Sequence, residues 1–431
     1  MSEKLKIVFT LSNAALFLLL STHTVAAQKH INTTAVTDAL SPSSNLCDSE
    51  GFMSPACNIE KIKQIRSFQD WLEKLKINGW IDLDAAKYAQ YQPTHPLHSG
   101  AIIRNARINF RGQVEPQWRY SFGFAFFDNS LFVKQAFLAY TGLDQTEIRI
   151  GQMKAPFSLE VLTNDRYITF LERALPSAIL APEYRLGAGI FHYGAFFNPA
   201  NTYTIAGGIY TNKAGEKSAN TSGSLMGIGR MTYAYYPTKR RLIMTGLGGE
   251  LRSPDSNKIL SFEGHPESRV STNTTARLVD TGEIAHVDEA SSYDIQGATI
   301  YGPLSLQGEF IDNHVDRSNG NPALNFDGWY AFCSWILTGE SRNYDTRNAV
   351  FTGVDPQHHY GAWELTGRAS NIDLNSEAIV GGKERNYTTG LNWYVNESVR
   401  FMLNYIKVFS EKGSIQSDPN IYTVRAEIDF P

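Results

Sequence analysis

The chain has 431 residues and a formal net charge of −4 at pH 7, with 24 Phe, 21 Tyr and 34 Gly but only 3 Cys. This charge excludes a generally basic nucleic-acid-binding protein and says little about a pore, where local charge decides. Many aromatic residues in a chain that is polar on average are typical of strands with one lipid-facing side. A secreted soluble β-protein could have the same composition, so the residue pattern must separate the two classes.

Residues 1–27 have the layout of a secretory signal peptide. Two lysines precede an apolar core at residues 7–20, and small residues end the segment at Ala27. This layout predicts export and cleavage after Ala27. The apolar core contains polar residues and is shorter than the ~20 residues of a membrane-spanning helix, so a permanent anchor is the weaker interpretation.

Residues 28–77 are predicted to form a periplasmic leader. The first half is rich in Ser, Thr, Asn and Pro, as flexible segments are. Cys47 and Cys57 lie close together there, and in an oxidising compartment they are candidates for a disulfide. Apolar residues then recur at helical spacing, which predicts a short amphipathic helix. The members of its apolar face are Ile62, Ile65, Phe68, Leu72 and Leu75.

Residues 78–431 show the alternation of β-strands. In one strand Ala106, Ile108 and Phe110 alternate with Arg107 and Arg111. In a soluble sandwich such an apolar face lines the core, whereas in a transmembrane barrel it faces lipid. Short turns alternate with long polar loops, such as residues 252–292, as in outer-membrane barrels with short periplasmic turns. The fold is therefore predicted to be all-β: a roughly 16-stranded antiparallel transmembrane β-barrel with an aqueous channel.

One connection, residues 154–185, is too long for a turn and too rich in apolar residues for a solvated loop. Phe157, Tyr167 and Phe170 stand among many charged residues. Loops of this length are usually functional. We predict that this segment folds back against the inside of the barrel and acts as a constriction loop that narrows the pore.

Two separated blocks of the sequence carry a family resemblance. Residues 151–160 are Gly-Gln-Met-Lys-Ala-Pro-Phe-Ser-Leu-Glu, and residues 167–174 are Tyr-Ile-Thr-Phe-Leu-Glu-Arg-Ala. The second block has Gly-Ala-Trp-Glu-Leu at residues 361–365 and Gly-Leu-Asn-Trp-Tyr at residues 390–394. The chain thereby resembles the phosphate-selective porin O and P family. The resemblance implies a homotrimeric outer-membrane channel of roughly sixteen strands. It also implies a periplasmic turn that folds into the lumen, with residues 338–360 as its counterpart.

Basic residues of the predicted lumen and loop are the candidates for solute selection. Guanidinium groups stay charged and present forked donors to oxyanions, so they favour anions in a narrow passage. An alternative remains open, in which these side chains pair with lumenal carboxylates and the loop and stiffen the barrel. The candidates are Arg107, Arg111, Arg119, Arg149, Lys154, Arg166, Arg173 and Arg185.

Together these features predict a porin of the bacterial outer membrane for passive diffusion of small solutes, with a preference for anions or phosphate. The alternative is a general or carbohydrate-type porin. The resemblance implies a dense ladder of arginines and lysines along the lumen for phosphate preference, and the fourth strand has no basic residue near Ala139. An enzyme is disfavoured, since the sequence has no nucleophile elbow and no His-Glu-x-x-His. We expect no cofactor, no metal and no nucleic acid. The expected partners are small anionic solutes, outer-membrane lipids and further copies of the chain in a homotrimer.

Overall fold

The computed structural model describes residues 74–89, 97–127, 130–211, 224–254, 256–271 and 276–430. The predicted signal peptide, almost all of the leader, and the candidate disulfide between Cys47 and Cys57 lie outside the described residues. They remain predictions. Within the described part of the chain, no helix has the length and apolar character needed to cross a membrane.

Antiparallel β-structure makes up almost all of the described chain. In chain order the strands are Lys76–Ala89 (β1), Gly100–Glu115 (β2), Trp118–Phe127 (β3), Ser130–Leu143 (β4), Thr146–Lys154 (β5), Tyr184–Ala195 (β6), Asn201–Thr211 (β7), Leu225–Thr238 (β8), Arg241–Ser253 (β9), Glu263–Gly264 (β10), Val279–Asp280 (β11), Val287–Tyr301 (β12), Leu304–Arg317 (β13), Leu324–Ile336 (β14), Arg342–Asp345 (β15), Val350–Val354 (β16), Ala362–Ser376 (β17), Ile379–Tyr394 (β18), Val399–Lys412 (β19), Ile415–Ser417 (β20) and Asn420–Phe430 (β21). The long strands form one closed barrel, to which the short β20 adds at its rim. The pairs β10–β11 and β15–β16 are separate small hairpins.

The barrel closes because its first and last strands pair. β1 pairs with β2 on one side and with β21 on the other, from Gly79 opposite Phe430 to Ala89 opposite Asn420. Each long strand is therefore hydrogen-bonded along both sides, which leaves the barrel without an unpaired edge. This confirms the predicted antiparallel barrel of 16 strands.

Side chains alternate between the two surfaces of the wall, as the period of two along a strand requires. On the outer surface, Ile243 and Tyr301 are 64% and 68% exposed, so they face lipid in the membrane. On the inner surface, Asp82 and Arg425 are only 2% and 4% exposed. Apolar residues therefore lie outside and charged residues inside, as the sequence predicts.

Two β-bulges interrupt this alternation. The register of the β1–β2 pair skips Arg104, which has no partner across on β1. The register of the β3–β4 pair skips Lys134 in the same way. A bulge inserts one residue and redirects its side chain. The side chains of Arg104 and Lys134 therefore do not lie on the surface that simple alternation would assign to them.

The constriction loop, predicted at residues 154–185, comprises residues 155–183 between β5 and β6 and crosses the lumen. Its apolar anchors Phe157 and Phe170 are fully buried inside the barrel. Apolar area removed from water stabilises this docked position. The loop contains the helices Leu159–Leu162 (α1) and Leu175–Ile179 (α2), with the 3-10 turn Asp165–Tyr167 between them. The predicted inward fold is confirmed.

A second segment enters the lumen from the end of the barrel that carries the short turns. The hairpin of β15 and β16 lies within residues 338–361, between β14 and β17. Arg230 of β8 donates from Nη2 to the carbonyl oxygen of Ala349 at 3.0 Å. Phe351 belongs to one buried apolar cluster with Leu159 of α1. The hairpin therefore supports the constriction loop, at the place where the family resemblance implied a lumenal turn.

A third segment, described at residues 256–271 and 276–286 and containing β10 and β11, also turns inward. The sequence pattern placed it among the outer loops because of its length and polarity. Instead, Glu267 reaches the wall and pairs with Arg368 of β17 at 2.7 Å, and both side chains are buried. A buried carboxylate needs such a partner, and the partner is distant in sequence. For that reason the pattern gave no sign of this inward fold.

Candidate functional site: the pore constriction

The first helix of the constriction loop is fixed to the barrel wall by Glu309 of β13. Its carboxylate accepts the N–H of Leu159 at 2.9 Å and the N–H of Glu160 at 2.7 Å. These N–H groups stand at a helix N-terminus and have no acceptor within the helix. The hydroxyl of Tyr330 donates to the same carboxylate at 2.6 Å. Glu309 therefore serves as the acceptor that the loop itself cannot supply.

The middle of the loop is held by donors from the opposite strands. Asn392 donates to the carbonyl oxygen of Thr169 at 2.8 Å, and Arg400 donates to that of Ile168 at 3.0 Å. Arg368 donates from Nη1 to the carbonyl oxygen of Glu172 at 3.0 Å. Buried carbonyl groups require such partners. The loop is thus tied to the wall along its length.

Three of the candidate cations gather around one carboxylate of the loop, Asp165. Arg107 and Lys154 lie 3.4 Å and 3.7 Å from its oxygens, and Arg173 also forms an ion pair with it. Burial alone raises the pKa of Asp165, but these cations hold it well below its ordinary value. The carboxylate is therefore ionised. Arg173 also lies 3.5 Å from Glu183, so three cations stand against two carboxylates and one positive charge remains in excess.

Other candidates pair with single carboxylates on the wall. Arg119 and Arg149 both contact Glu147, with the Nε of Arg149 at 3.0 Å from Oε1. Arg166 of the loop pairs with Asp429 of β21 at 2.5 Å. These contacts agree with the alternative in which lumenal arginines stiffen the barrel. They do not exclude a role in selectivity, since a paired guanidinium keeps donors for a second oxyanion.

The two remaining candidates are Arg185 and Arg111. Arg185 donates to the carbonyl oxygen of Tyr184 at 3.0 Å. Arg111 is exposed, and no described carboxylate forms an ion pair with it. The charges that act most strongly on it are those of Arg166, Arg107 and Arg119. Arg111 thus adds an open cation beside three that are already paired.

Comparison with known proteins identifies the family. Residues 75–430 match the family model described as phosphate-selective porin O and P. The chain belongs to this family. It is also similar to Porin O of Pseudomonas aeruginosa, with 24% identity over 375 residues, 78% of this chain and 83% of that protein.

Solved structures of other outer-membrane proteins share the fold of this porin. The anion-selective porin from Comamonas acidovorans has a TM-score of 0.51 and 10% identity, over 83% of this chain and 99% of that chain. OmpT of Vibrio cholerae in its trimer form has a TM-score of 0.50 and 11% identity, over 83% of this chain and 99% of that chain. At such identities the likeness shows the fold alone.

Family and fold together establish what the molecule is in general terms. The protein is an outer-membrane porin, a β-barrel that forms a water-filled channel. The predictions of family, fold and bacterial outer-membrane location are confirmed. The relatives are porins, which favours a channel over an enzyme.

The sequence analysis of this porin missed two cations that the bulges turn inward. Arg104 forms a two-pronged pair with Glu172 of the loop, at 2.5 Å and 2.9 Å. Lys134 lies above the ring of Tyr184, with Nζ 5.4 Å from the ring centroid. Each bulged residue is followed by a polar residue in a strand that otherwise alternates. Two adjacent polar residues within an alternating strand were therefore the sequence signal that could have indicated each bulge.

The pair of Arg104 with Glu172 predicts an acid-sensitive attachment of the loop. Burial alone raises the pKa of Glu172, but the charge and hydrogen bonds of Arg104 hold it at about 2, below the ordinary 4.5. A lowered folded-state pKa contributes stability that is complete above pH 4.5 and lost as the pH falls toward 2. We expect the thermal midpoint of the detergent-folded protein to fall over this range. Glu172→Gln should lower the midpoint at pH 7 and flatten its pH dependence. An unchanged pH profile in this variant would contradict the assignment.

Proposed function

We propose that this porin conducts small anions by passive diffusion and prefers them to cations. The observation that carries the proposal is the charge of the constriction: three cations stand against two carboxylates, Asp165 and Glu183, and the open Arg111 lies nearby. In a narrow passage of lowered dielectric, a few charges set the local potential. The net charge of −4 therefore does not decide the choice of ion.

Phosphate is the first anion to test. The family is described as phosphate-selective, and a structure with the same fold is named an anion-selective porin. Forked guanidinium donors match the geometry of phosphate oxygens better than that of chloride. Passage follows the concentration gradient and needs no cofactor and no covalent chemistry.

The experiment adds phosphate to single channels in planar bilayers while chloride current is recorded. If phosphate binds in the constriction, the chloride current should fall in a saturable way at low phosphate concentration. Sulfate, added at the same ionic strength, tests whether the block is specific to phosphate or common to tetrahedral oxyanions. A chloride current that is insensitive to phosphate would favour the second candidate function, a general or carbohydrate-type porin, which the pairing of most lumenal arginines also supports.

Removal of the open cation should weaken anion preference. Arg111→Gln is expected to lower the anion-to-cation permeability ratio by roughly threefold, the size expected for one unit charge about 6 Å away at the dielectric constant of water. The matched control is Arg385→Gln, since Arg385 is exposed on the outer surface of β18 and lies opposite Phe409. Zero-current potentials in a salt gradient measure the permeability ratio of both variants. An unchanged ratio in Arg111→Gln would show that Arg111 does not influence ion choice.

We also propose that the functional unit is a homotrimer. The proposal is supported by family membership and by the trimer form of the Vibrio cholerae protein that shares this fold. Light scattering of the detergent-solubilised protein, corrected for bound detergent, measures the assembly. A mass of one chain under conditions that keep the barrel folded would contradict the proposal.

A further inference from the structure

Lys134 is the extra residue of the bulge in β4. Gly123 of β3 faces Gln135, and the next residue, Phe124, faces Val133. Lys134 therefore has no partner across the strand pair, and its side chain leaves the regular alternation. The ammonium group lies 5.4 Å from the ring centroid of Tyr184, where β6 begins at the end of the constriction loop.

Hydrogen bonds from Gln152 stabilise the bulge in the barrel wall. A bulge leaves carbonyl groups without ladder partners, and buried carbonyl groups need donors. The side-chain amide of Gln152 in β5 donates to the carbonyl oxygen of Val133 at 2.5 Å and to that of Lys134 at 3.3 Å. Gln152 is only 1% exposed, so this amide is committed to the inside of the wall. Gly151 precedes it with a φ of +129°, a conformation that favours glycine.

The ammonium groups of Lys134 and Lys154 differ in their contacts. Lys154 donates to the carbonyl oxygens of Val161 and Thr163 at 2.6 Å and 3.0 Å and pairs with Asp165. No described carboxylate forms an ion pair with Lys134. The positive charge of Lys134 nevertheless acts on Glu183 of the loop. Burial alone raises the pKa of Glu183, and the charges of Lys134 and Arg173 hold it at about 2.

We propose that Lys134 is a further specificity-determining residue of this pore and that it contacts the passing oxyanion. Gln152 is the positioning residue that holds the bulge in the shape that presents Lys134. This inference rests on the proposed anion conduction and names the side chain that adds to Arg111. A flexible ammonium with three donors can follow a phosphate through the passage, while the paired arginines remain fixed.

The experiment compares Lys134→Gln, Lys134→Arg and Gln152→Leu with a matched control, Lys87→Gln. Lys87 is an exposed lysine on the outer surface of β1. The readouts are the phosphate concentration that halves the chloride current and the zero-current potential in a salt gradient. Loss of Lys134 should raise the half-blocking concentration about fivefold, as expected for one unit charge close to the anion. Lys134→Arg should stay near the wild type, and Lys87→Gln should change neither readout.

A double-mutant cycle tests whether Gln152 acts by positioning Lys134 or only by stabilising the barrel. Gln152→Leu should raise the half-blocking concentration in the wild-type background and have no further effect beside Lys134→Gln. Heat-modifiable migration checks that each barrel is folded. If Gln152→Leu fails to fold, Gln152→Met replaces it in the cycle. If Lys134→Gln fails to fold, Lys134→Met replaces it.

The outcomes also separate this inference from the proposed function. If Lys134→Gln changes neither readout while Arg111→Gln lowers anion preference, the inference about Lys134 is overturned and anion conduction stands. If the wild type shows no anion preference and no block by phosphate, the proposed function fails, and the inference fails with it.

Discussion

Replacement of Glu309 by alanine should open the constriction. Two buried N–H groups, those of Leu159 and Glu160, then lose their acceptor, and the hydroxyl of Tyr330 loses its partner. Buried donors without acceptors cost about 1–3 kcal/mol each, enough to release the first helix of the loop from the wall. We expect single-channel conductance to rise and the discrimination between ions to weaken. Planar-bilayer recordings measure both quantities.

Two further variants calibrate this result. Glu309→Gln keeps one carbonyl acceptor, so its conductance should lie between those of the wild type and Glu309→Ala. Glu250→Ala is the matched control, because Glu250 is a buried acid of β9 that pairs with Arg252 at 2.8 Å. It should leave the conductance unchanged. A wild-type conductance in Glu309→Ala would show that the loop is held by its apolar anchors alone.

Replacement of Arg368 by methionine should strongly destabilise the barrel. It leaves Glu267 buried without its cation, although Ser370 and Thr388 still donate to this carboxylate at 2.5 Å and 3.1 Å. Removal of one partner of a buried pair costs about 3–5 kcal/mol. Equilibrium unfolding in urea, with the barrel in micelles or bilayers, measures the free energy of unfolding.

The double variant Arg368→Met with Glu267→Leu tests the cause of this loss. Replacement of a whole buried pair by apolar residues is often nearly neutral, so the double variant should be more stable than Arg368→Met alone. Arg385→Met, at an exposed arginine, serves as the control and should lie within about 0.5 kcal/mol of the wild type. A loss below about 1 kcal/mol in Arg368→Met would mean that water reaches Glu267 and screens its charge.

The sequence predicted the barrel because its pattern is local. Strand alternation, such as Val424 and Ile428 against Arg425 and Glu427, depends only on neighbouring residues and on which face meets lipid. The constriction loop could also be predicted from the sequence, since apolar residues such as the buried Phe157 stand out in a polar segment. The family motifs then gave a specific identity to a general architecture.

The partners of the charged residues could not be predicted in the same way. Which carboxylate meets Arg107 depends on how the loop docks, and Asp165 lies 58 positions away in sequence. The anchoring role of Glu309 arises across 150 positions. Arg104 and Lys134 were missed because a bulge shifts the phase of a strand by one residue, which a fixed period of two cannot represent. Charge pairing is therefore visible only in three dimensions, and a bulge leaves only the signal of two adjacent polar residues in a strand.

The zero-current potential of the wild-type channel in a potassium chloride gradient tests the proposed anion preference most directly. Potassium and chloride ions have similar mobilities in water, so the potential reports the charge of the constriction. The excess of cations around Asp165, together with Arg111, is expected to give a potential of the sign set by chloride. A potential of the sign set by potassium, from folded channels at neutral pH, would contradict anion preference and leave a general porin.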